Sequence, residues 1–368
     1  MKKIYTLFLA AGLMLVAGCG SKTEPTMREA LKDKFLIGVA MNANQITGRD
    51  TLGVKIIKEQ FSSIVAENCM KSGELVREQG KYDFTMADQF VEFGEANDMF
   101  IIGHTLVWHS QLPRWFTRDD EGNEVTREVL IERMRDHITT VVTRYKGRVK
   151  GWDVVNETFE DDGAWRRRSP FVQIIGEDFL EMAFQFAHEA DPNAELYYND
   201  YSMFLPGRRD AVVRMIRNLK AKGIRIDAIG MQAHYGMDYP DLSEVEKSIQ
   251  AFIAEGVNVM ITEFDVSALP TAQQGANLTD TESYQASLNP YVDGIPADAD
   301  AAWNARMEDL FNLFLKYQDN ITRVTMWGLT DGDSWKNGFP IRGRTDYPLL
   351  YYRDYQPKPI VGWLQNVK

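Results

Sequence analysis

The chain has 368 residues, 44% of them hydrophobic and 26% charged, which is enough apolar material for a sizeable core and excludes a disordered chain. Its formal net charge of −12 excludes a nucleic-acid partner, because a polyanion is held by clustered Lys and Arg. The balance fits a neutral or weakly charged substrate.

Lys2 and Lys3 precede an apolar run, Ile4 to Val16, too short to span a bilayer comfortably and followed by small residues. Val16-Ala17-Gly18-Cys19 resembles a bacterial lipobox, in which cleavage before the Cys leaves its sulfur to carry a diacylglyceryl group. Residues 1–18 therefore read as a lipoprotein-type signal peptide, with Cys19 as the lipidation site; a plain secretory peptide containing a Cys is the alternative. Residues 19–27, with small, polar GSKTEPT, read as a flexible tether. On this reading the protein is exported and touches a membrane, expected to be the outer one, only through the anchor. Apart from Cys19 only Cys69 remains, so no intramolecular disulfide can form. There is no CxxC or HExxH spacing, hence no case for a metal site, and nothing calls for a cofactor.

From residue 28 to 368 one rhythm persists: a short apolar, β-branched run, then a longer amphipathic stretch. The predicted strands are Leu36–Met41, Ser62–Ala66, Phe100–His104, Val149–Asn156, Leu196–Asn199, Ala228–Gln232, Val257–Glu263 and Val324–Gly328. Helical patterns between them include Leu130–Tyr145, Asp178–Ala190, Arg208–Lys222, Leu242–Glu255 and Ala302–Tyr317. Ala211, Met215 and Leu219 recur at a spacing of four, as a helix packed on a sheet requires. Continuous apolar strands alternating with helices predict a buried parallel sheet, and eight such units predict a (β/α)8 TIM barrel in a single α/β domain. An open doubly wound sheet is the alternative, weakened because no Gly-rich phosphate loop follows the first strand. The longest irregular stretch, about Ser267 to Asp300, follows the seventh strand; a loop of that length in a compact domain is usually functional.

In a barrel the active site lies at the C-terminal ends of the strands. Glu67-Asn68, His104, Asn156-Glu157, Asn199-Asp200, Gln232 with His234, and Glu263 all gather there. Burying so many polar groups at one end is costly unless they serve a site. Glu157 and Glu263 fall on the fourth and seventh strands, nearly opposite each other, and glycoside hydrolysis requires two carboxyl groups facing across a cleft. By position alone, two glutamates locked in structural salt bridges fit equally well.

The motifs WDVVNE (Trp152–Glu157), HTLVWHSQ (His104–Gln111), ENCMK (Glu67–Lys71), NDY (Asn199–Tyr201), ITEFDV (Ile261–Val266) and WGLTDGDSW (Trp327–Trp335) resemble, in order and spacing, glycoside hydrolase family 10, the xylanases. The likeness runs from about residue 28 to the C-terminus. It implies an endo-β-1,4-xylanase acting on xylan and xylo-oligosaccharides with retention of configuration, Glu157 as acid/base and Glu263 as nucleophile; a monomer is expected, though no residue pattern points to an oligomeric state. It further implies Asn156 on the sugar 2-hydroxyl, and His234, beside Gln232, pairing with both Glu263 and Asp265. Glu67, Asn68, Lys71, His104, Trp108 and Gln111 match residues that grip the non-reducing-side sugars. Tyr201 is carried over as a substrate contact, and Trp327 and Trp335 as the roof. A retaining acid must hold a proton, so the charge of Glu263 is expected to raise the pKa of Glu157.

His109 reads equally well as a site residue or a satisfied core histidine; His137 and His188 fall in helix patterns and read as structural. Trp115, Trp152, Trp165, Trp303 and Trp363 read as packing. Cys69 departs from the Glu or Ala frequent at its position, so no substrate contact is assigned to it. Two other readings remain: a cellulase or mannanase barrel, and a surface glycan-binding lipoprotein without chemistry. The second has no need of an acid/base facing a nucleophile.

Overall fold

The computed structural model describes residues 25–272 and 283–367. Nine strand segments build its sheet: β1 (Leu36–Met41), β2 (Ser63–Ala66), β3 (Phe100–Trp108), β4 (Gly151–Asn156), β5 (Glu195–Asp200), β6 (Ala228–Met231), β7 (His234–Gly236), β8 (Asn258–Ser267) and β9 (Ile321–Met326). Successive neighbours pair in parallel, β6 pairs directly with β8, and β9 pairs with β1 (Leu36↔Arg323 to Val39↔Met326), so the sheet closes on itself. Segment β7 prolongs the line of β6 after a break at Gln232-Ala233, where Ala233 adopts a φ of 63°. The eight staves of a barrel result, and the open sheet is excluded.

The helices are α1 (Met27–Ala30), α2 (Ala43–Ile46), α3 (Thr51–Gln60), α4 (Ser72–Leu75), α5 (Thr85–Ala96), α6 (Arg127–Arg144), α7 (Phe179–Ala190), α8 (Pro206–Ala221), α9 (Leu242–Ala254), α10 (Ala297–Lys316) and α11 (Pro359–Gln365). In α8 the buried stripe is Ala211, Met215 and Leu219 with their neighbours, and Pro206 occupies the start, where its missing N–H costs nothing. Strand and helix side chains form one large core between barrel and helices. A separate small cluster, including Ala40, Val65, Ile102, Tyr197 and Met260, fills the barrel itself, with Trp327 packed on it.

Several boundaries differ from expectation. Strand β3 continues beyond His104 to Trp108, because a register irregularity between His104 and Val107 lets Trp108 pair with Asn156. Strand β8 likewise runs past Glu263 to Ser267, and β9 spans Ile321–Met326, earlier than expected. A strand that carries site residues at its end does not stop being a strand when its side chains turn polar. Helix α10 starts at Ala297, inside the stretch read as loop: Pro296 precedes it, and Asp298 and Asp300 oppose the helix dipole in its first turn. Residues 273–282 of that stretch, Cys19 and the signal peptide lie outside the described residues.

The segment after β9 is tied down by a buried pair. Lys358 Nζ donates to Asp331 Oδ1 at 3.0 Å and to the Tyr347 carbonyl at 2.8 Å, while its ammonium lies 3.8 Å from the Trp303 ring centroid. Burial pushes the Asp331 carboxyl up to about 6 against the pull of Lys358. This anchor holds the loop that carries Trp327 and Trp335.

Strand β3 passes Trp152 so closely that a Cβ on Gly103 would lie 2.1 Å from the indole ring. Trp152 is rigid and fully buried, so Gly103→Ala should destabilise the fold by about 1–3 kcal/mol. Urea denaturation measures this; an unchanged midpoint would show that the β3–β4 contact relaxes freely.

Candidate active site

At the C-terminal end of the barrel lies a cavity of about 160 Å3. Residues after β2 contribute Glu67, Asn68 and Lys71, and β3 and its extension contribute His104, Trp108 and Gln111. The end of β4 supplies Asn156 and Glu157, the β6–β7 line supplies Gln232 and His234, and β8 supplies Glu263. Trp327 and Trp335 close it from the loop after β9. Strand ends from distant parts of the sequence thus converge as expected.

Glu157 is 7% exposed and Glu263 6%, so both carboxyl groups need partners. Glu263 Oε1 accepts from Asn199 Nδ2 at 2.7 Å, and its Oε2 lies 3.2 Å from His234 Nε2. His234 Nδ1 lies 2.9 Å from Asp265 Oδ2. An imidazole with carboxylates on both nitrogens can satisfy both only as a cation. Burial opposes that charge, but Asp265 and Glu263 outweigh it and hold His234 up at about 9. Trp335 Nε1 also donates to Asp265 Oδ2 at 2.9 Å, and Lys336 Nζ is 3.3 Å from Asp265 Oδ1.

Glu157 is held differently. Trp108 Nε1 donates to its Oε2 at 2.8 Å and Gln232 Nε2 to its Oε1 at 3.0 Å. Its backbone has a φ of 56°, a left-handed conformation costly for a glutamate; its N–H donates to the Asn199 carbonyl, and Arg166 Nε donates to its own carbonyl, both at 2.9 Å. Gln111, Ser202 and Ala233, each beyond a strand end, are also left-handed.

Burial, the largest influence, pushes the Glu157 carboxyl up. His109, Gln232, Arg166 and Trp108 together reverse this and leave it below its ordinary value. The expected net rise of the Glu157 pKa is thereby corrected. Both oxygens already receive N–H donors, and those favour the anion. The share of His109 fades above about pH 4, because burial, against the pull of Glu157, holds its own pKa at about 4. His109 packs edge-on against Trp108 with centroids 6.0 Å apart, and its buried Nδ1 has no partner. It stands behind the cavity wall rather than in it.

The residues that line the cavity on the β2 and β3 side also support each other. Lys71 Nζ donates to Asn68 Oδ1 at 3.0 Å and lies 5.1 Å from the Trp108 ring centroid. Burial raises the pKa of Glu67, against the pull of Lys71, and lowers that of Lys71, against Glu263 and Glu67. His104 Nδ1 lies 2.9 Å from Asp153 Oδ2, and its ring meets Trp327 edge-on at 5.4 Å.

Tyr201 departs from expectation. It is buried and does not line the cavity: Arg166 Nη2 donates to its hydroxyl at 2.6 Å and the Arg208 guanidinium covers its ring at 4.3 Å. These two cations hold it behind Glu157, so it positions Arg166 rather than a sugar. Trp335 is half-buried, its indole tied to Asp265. His137 is buried against Ser72 and Tyr82, as a structural histidine should be.

Three residues were given no role in the site by the sequence, although Asn199 was placed at its strand end. Asn199 joins the two halves, its Nδ2 donating to Asn156 Oδ1 at 2.9 Å as well as to Glu263; its place in NDY at a strand end was the available signal. Lys336 follows Trp335 directly. Arg166 had no signal, since it reaches Glu157 from a loop.

A family model described as glycosyl hydrolase family 10 matches residues 26–367. The chain is 50% identical to endo-1,4-beta-xylanase A of Xylanibacter ruminicola over 98% of both chains. It is 39% identical to the endo-1,4-beta-xylanase of Geobacillus stearothermophilus over 93% of this chain and 98% of that one. A family 10 endoxylanase retrieved from a sugarcane soil metagenome superposes with a TM-score of 0.88 at 42% identity, covering 93% of this chain and 99% of its own.

The cationic state of His234 has a pH signature. Its pKa is raised in the fold, so its stabilising contribution is complete below about 6.5 and is lost as the pH rises through about 9. His234→Gln should cost stability at pH 7, by at most roughly 3 kcal/mol, and remove the fall between those values. Denaturation midpoints from pH 6 to 10 measure this; identical slopes for both proteins would place the titration elsewhere.

Proposed function

The chain belongs to glycosyl hydrolase family 10, and we propose that it is a retaining endo-1,4-β-xylanase with Glu157 as acid/base and Glu263 as nucleophile. The observation that carries the residue roles is the unlike bonding of two glutamates in one cavity. Glu263 is fixed through both oxygens by Asn199 and by the His234 cation, as a nucleophile that must stay charged and aimed would be. Glu157 meets a neutral indole and a neutral amide, which can release it to exchange a proton.

In the first step a Glu263 oxygen bonds to the anomeric carbon while that carbon's bond to the leaving oxygen breaks. The bond's electron pair goes to the leaving oxygen, which takes the Glu157 proton. In the second step water attacks the same carbon, Glu157 takes the water's proton, and the Glu263 carboxylate departs. Two inversions give retention. Seating a sugar in the cavity displaces water from Glu157, and that desolvation pushes its pKa up toward the protonated state the first step needs. In the covalent intermediate the Glu263 charge is gone, which favours Glu157 as a base. Asn156, bonded to Asn199 and Gln232, is placed for the 2-hydroxyl, while Asn68, Lys71, His104 and Gln111 would grip the non-reducing-side sugars. Xylan and xylo-oligosaccharides are the substrates.

We also propose that the protein is exported and lipidated at Cys19, with residues 19–27 as tether, so that the barrel works as a monomer beside the outer membrane. The support is the lipobox-like run alone; among the described residues no helix is long and apolar enough to cross a membrane. Cys19→Ala should move activity from the membrane to the soluble fraction of the native cell. Wild-type activity already in the soluble fraction would exclude an anchor.

The two glutamates should fail differently. On xylan, Glu157→Ala should lower kcat by roughly 10²–10⁴-fold. With an aryl xylobioside whose leaving group needs no proton, it should still form the glycosyl-enzyme, and added azide should restore turnover and give the β-azide. Glu263→Ala should form no intermediate, and any azide product should be the α anomer. Identical azide products from both variants would overturn the assignment.

A further inference from the structure

The peptide bond that follows Glu157 is held through both of its polar groups by buried side chains. On one side Arg166 Nε donates to the Glu157 carbonyl at 2.9 Å. On the other the Thr158 N–H donates to the Tyr198 hydroxyl at 3.0 Å. That hydroxyl donates in turn to Asp200 Oδ2 at 2.5 Å, and Asp200 Oδ1 accepts from the Tyr201 N–H at 2.9 Å. The Tyr201 hydroxyl accepts from Arg166 Nη2 at 2.6 Å, so the hydrogen bonds close into a ring around one peptide bond. Arg208 Nη1 donates to the same Asp200 oxygen at 2.5 Å and braces the ring from α8.

Arg166, Tyr198 and Asp200 are buried, and none of them lines the cavity. Burying ionic groups is a poor source of stability, since apolar side chains of similar volume often pack as well or better. What the ring supplies is a fixed geometry. A peptide bonded at both its carbonyl and its N–H cannot turn without leaving buried partners unmet. Glu157 needs this, because its left-handed φ of 56° persists only where the surroundings over-determine it. Glu263 differs: it lies within β8, and its carboxylate is aimed directly by Asn199 and the His234 cation. The Glu157 carboxyl meets only neutral donors, Trp108 and Gln232, so its aim must come from the backbone.

We propose that Arg166, Tyr198 and Asp200 are positioning residues that hold the Glu157 carboxyl in place for proton transfer. This rests on the reading of Glu157 as acid/base. Attack of Glu263 on the anomeric carbon asks nothing of the ring. Protonation of the leaving oxygen and deprotonation of water both do. A proton crosses only a short, aligned path, and a misplacement of about 1 Å can cost about a hundredfold in rate. Loss of the ring therefore slows the proton transfers and spares the attack.

Aryl xylobiosides separate these steps. Their kcat/KM reads formation of the glycosyl-enzyme, for which a phenyl leaving group needs the Glu157 proton and a 2,4-dinitrophenyl one does not. In Tyr198→Phe and Arg166→Met, kcat/KM on the phenyl substrate should fall by roughly tenfold to a hundredfold. On the dinitrophenyl substrate it should stay unchanged. There kcat and KM should fall together, because the intermediate accumulates while water awaits its base. Tyr198→Phe removes one hydroxyl and leaves every charge in place, so its loss reports position, and it decides alone if Arg166→Met does not fold. Equal loss of kcat/KM on both substrates would make the ring a support of the fold or of the whole cavity and would overturn the proposal. So would wild-type values on both. Glu157→Ala, measured alongside, tests the reading beneath. Equal loss on both substrates in that variant would mean that Glu157 is not the acid/base, and the ring would have nothing to position.

Discussion

Burying two carboxyl groups in one cavity sets the terms for the rest of this protein. A buried carboxylate without partners is too costly to keep, so every oxygen of Glu157 and Glu263 has to find a donor. Four donors arrive from three strand lines: Trp108 from β3, Asn199 from β5, and Gln232 and His234 from the β6–β7 line. Asn199 also donates to Asn156, and Thr262 Oγ1 donates to Asn199 Oδ1 at 2.5 Å, so the two halves of the site form one connected set. A closed barrel is the framework that brings so many strand ends to one point without loops having to be ordered around it.

The same requirement shapes the backbone. Glu157 and Ala233 leave the strand line with positive φ, which turns a side chain from the barrel wall toward the mouth. That strain is offset by bonds on both sides of the residue, in the case of Glu157 from its N–H to Asn199 and from Arg166 to its carbonyl. Arg166 is itself held by Tyr201, and Arg208 over Tyr201 pairs with buried Asp200 at 2.5 Å. A chain of cations, aromatic ring and carboxylates thus stands behind Glu157, and it explains why Tyr201 is close to the cavity without lining it.

The roof depends on a second buried charge system. Asp265 receives His234, Trp335 and Lys336, so the carboxylate that sustains the His234 cation also fastens the tryptophan above it. Asp331 and Lys358 anchor the same loop to the C-terminal segment. The orientation of His234 and the position of Trp335 are therefore mechanically linked. The Glu74–Arg77 and Glu78–Lys81 pairs, by contrast, are exposed and local, and side chains there change with little cost to the fold.

The sequence by itself determined the barrel, the single domain from about residue 28 and the placement of the two glutamates at the barrel mouth, because these are written in local terms. Apolar runs at regular spacing demand a buried parallel sheet, and a polar residue that ends such a run must lie at the barrel mouth. Its motifs also carried the family and, with it, nearly every residue that lines the cavity. Only the tertiary structure decided where strands end beyond their apolar cores, as in β3 and β8, since pairing with a neighbouring strand prolongs them. It alone showed Arg166 reaching Glu157 from a loop, Tyr201 turned away behind it, and His109 behind Trp108. It also reversed the expected direction of the Glu157 pKa. That quantity is the balance of burial against four neighbours distant in sequence, and no local pattern encodes such a balance.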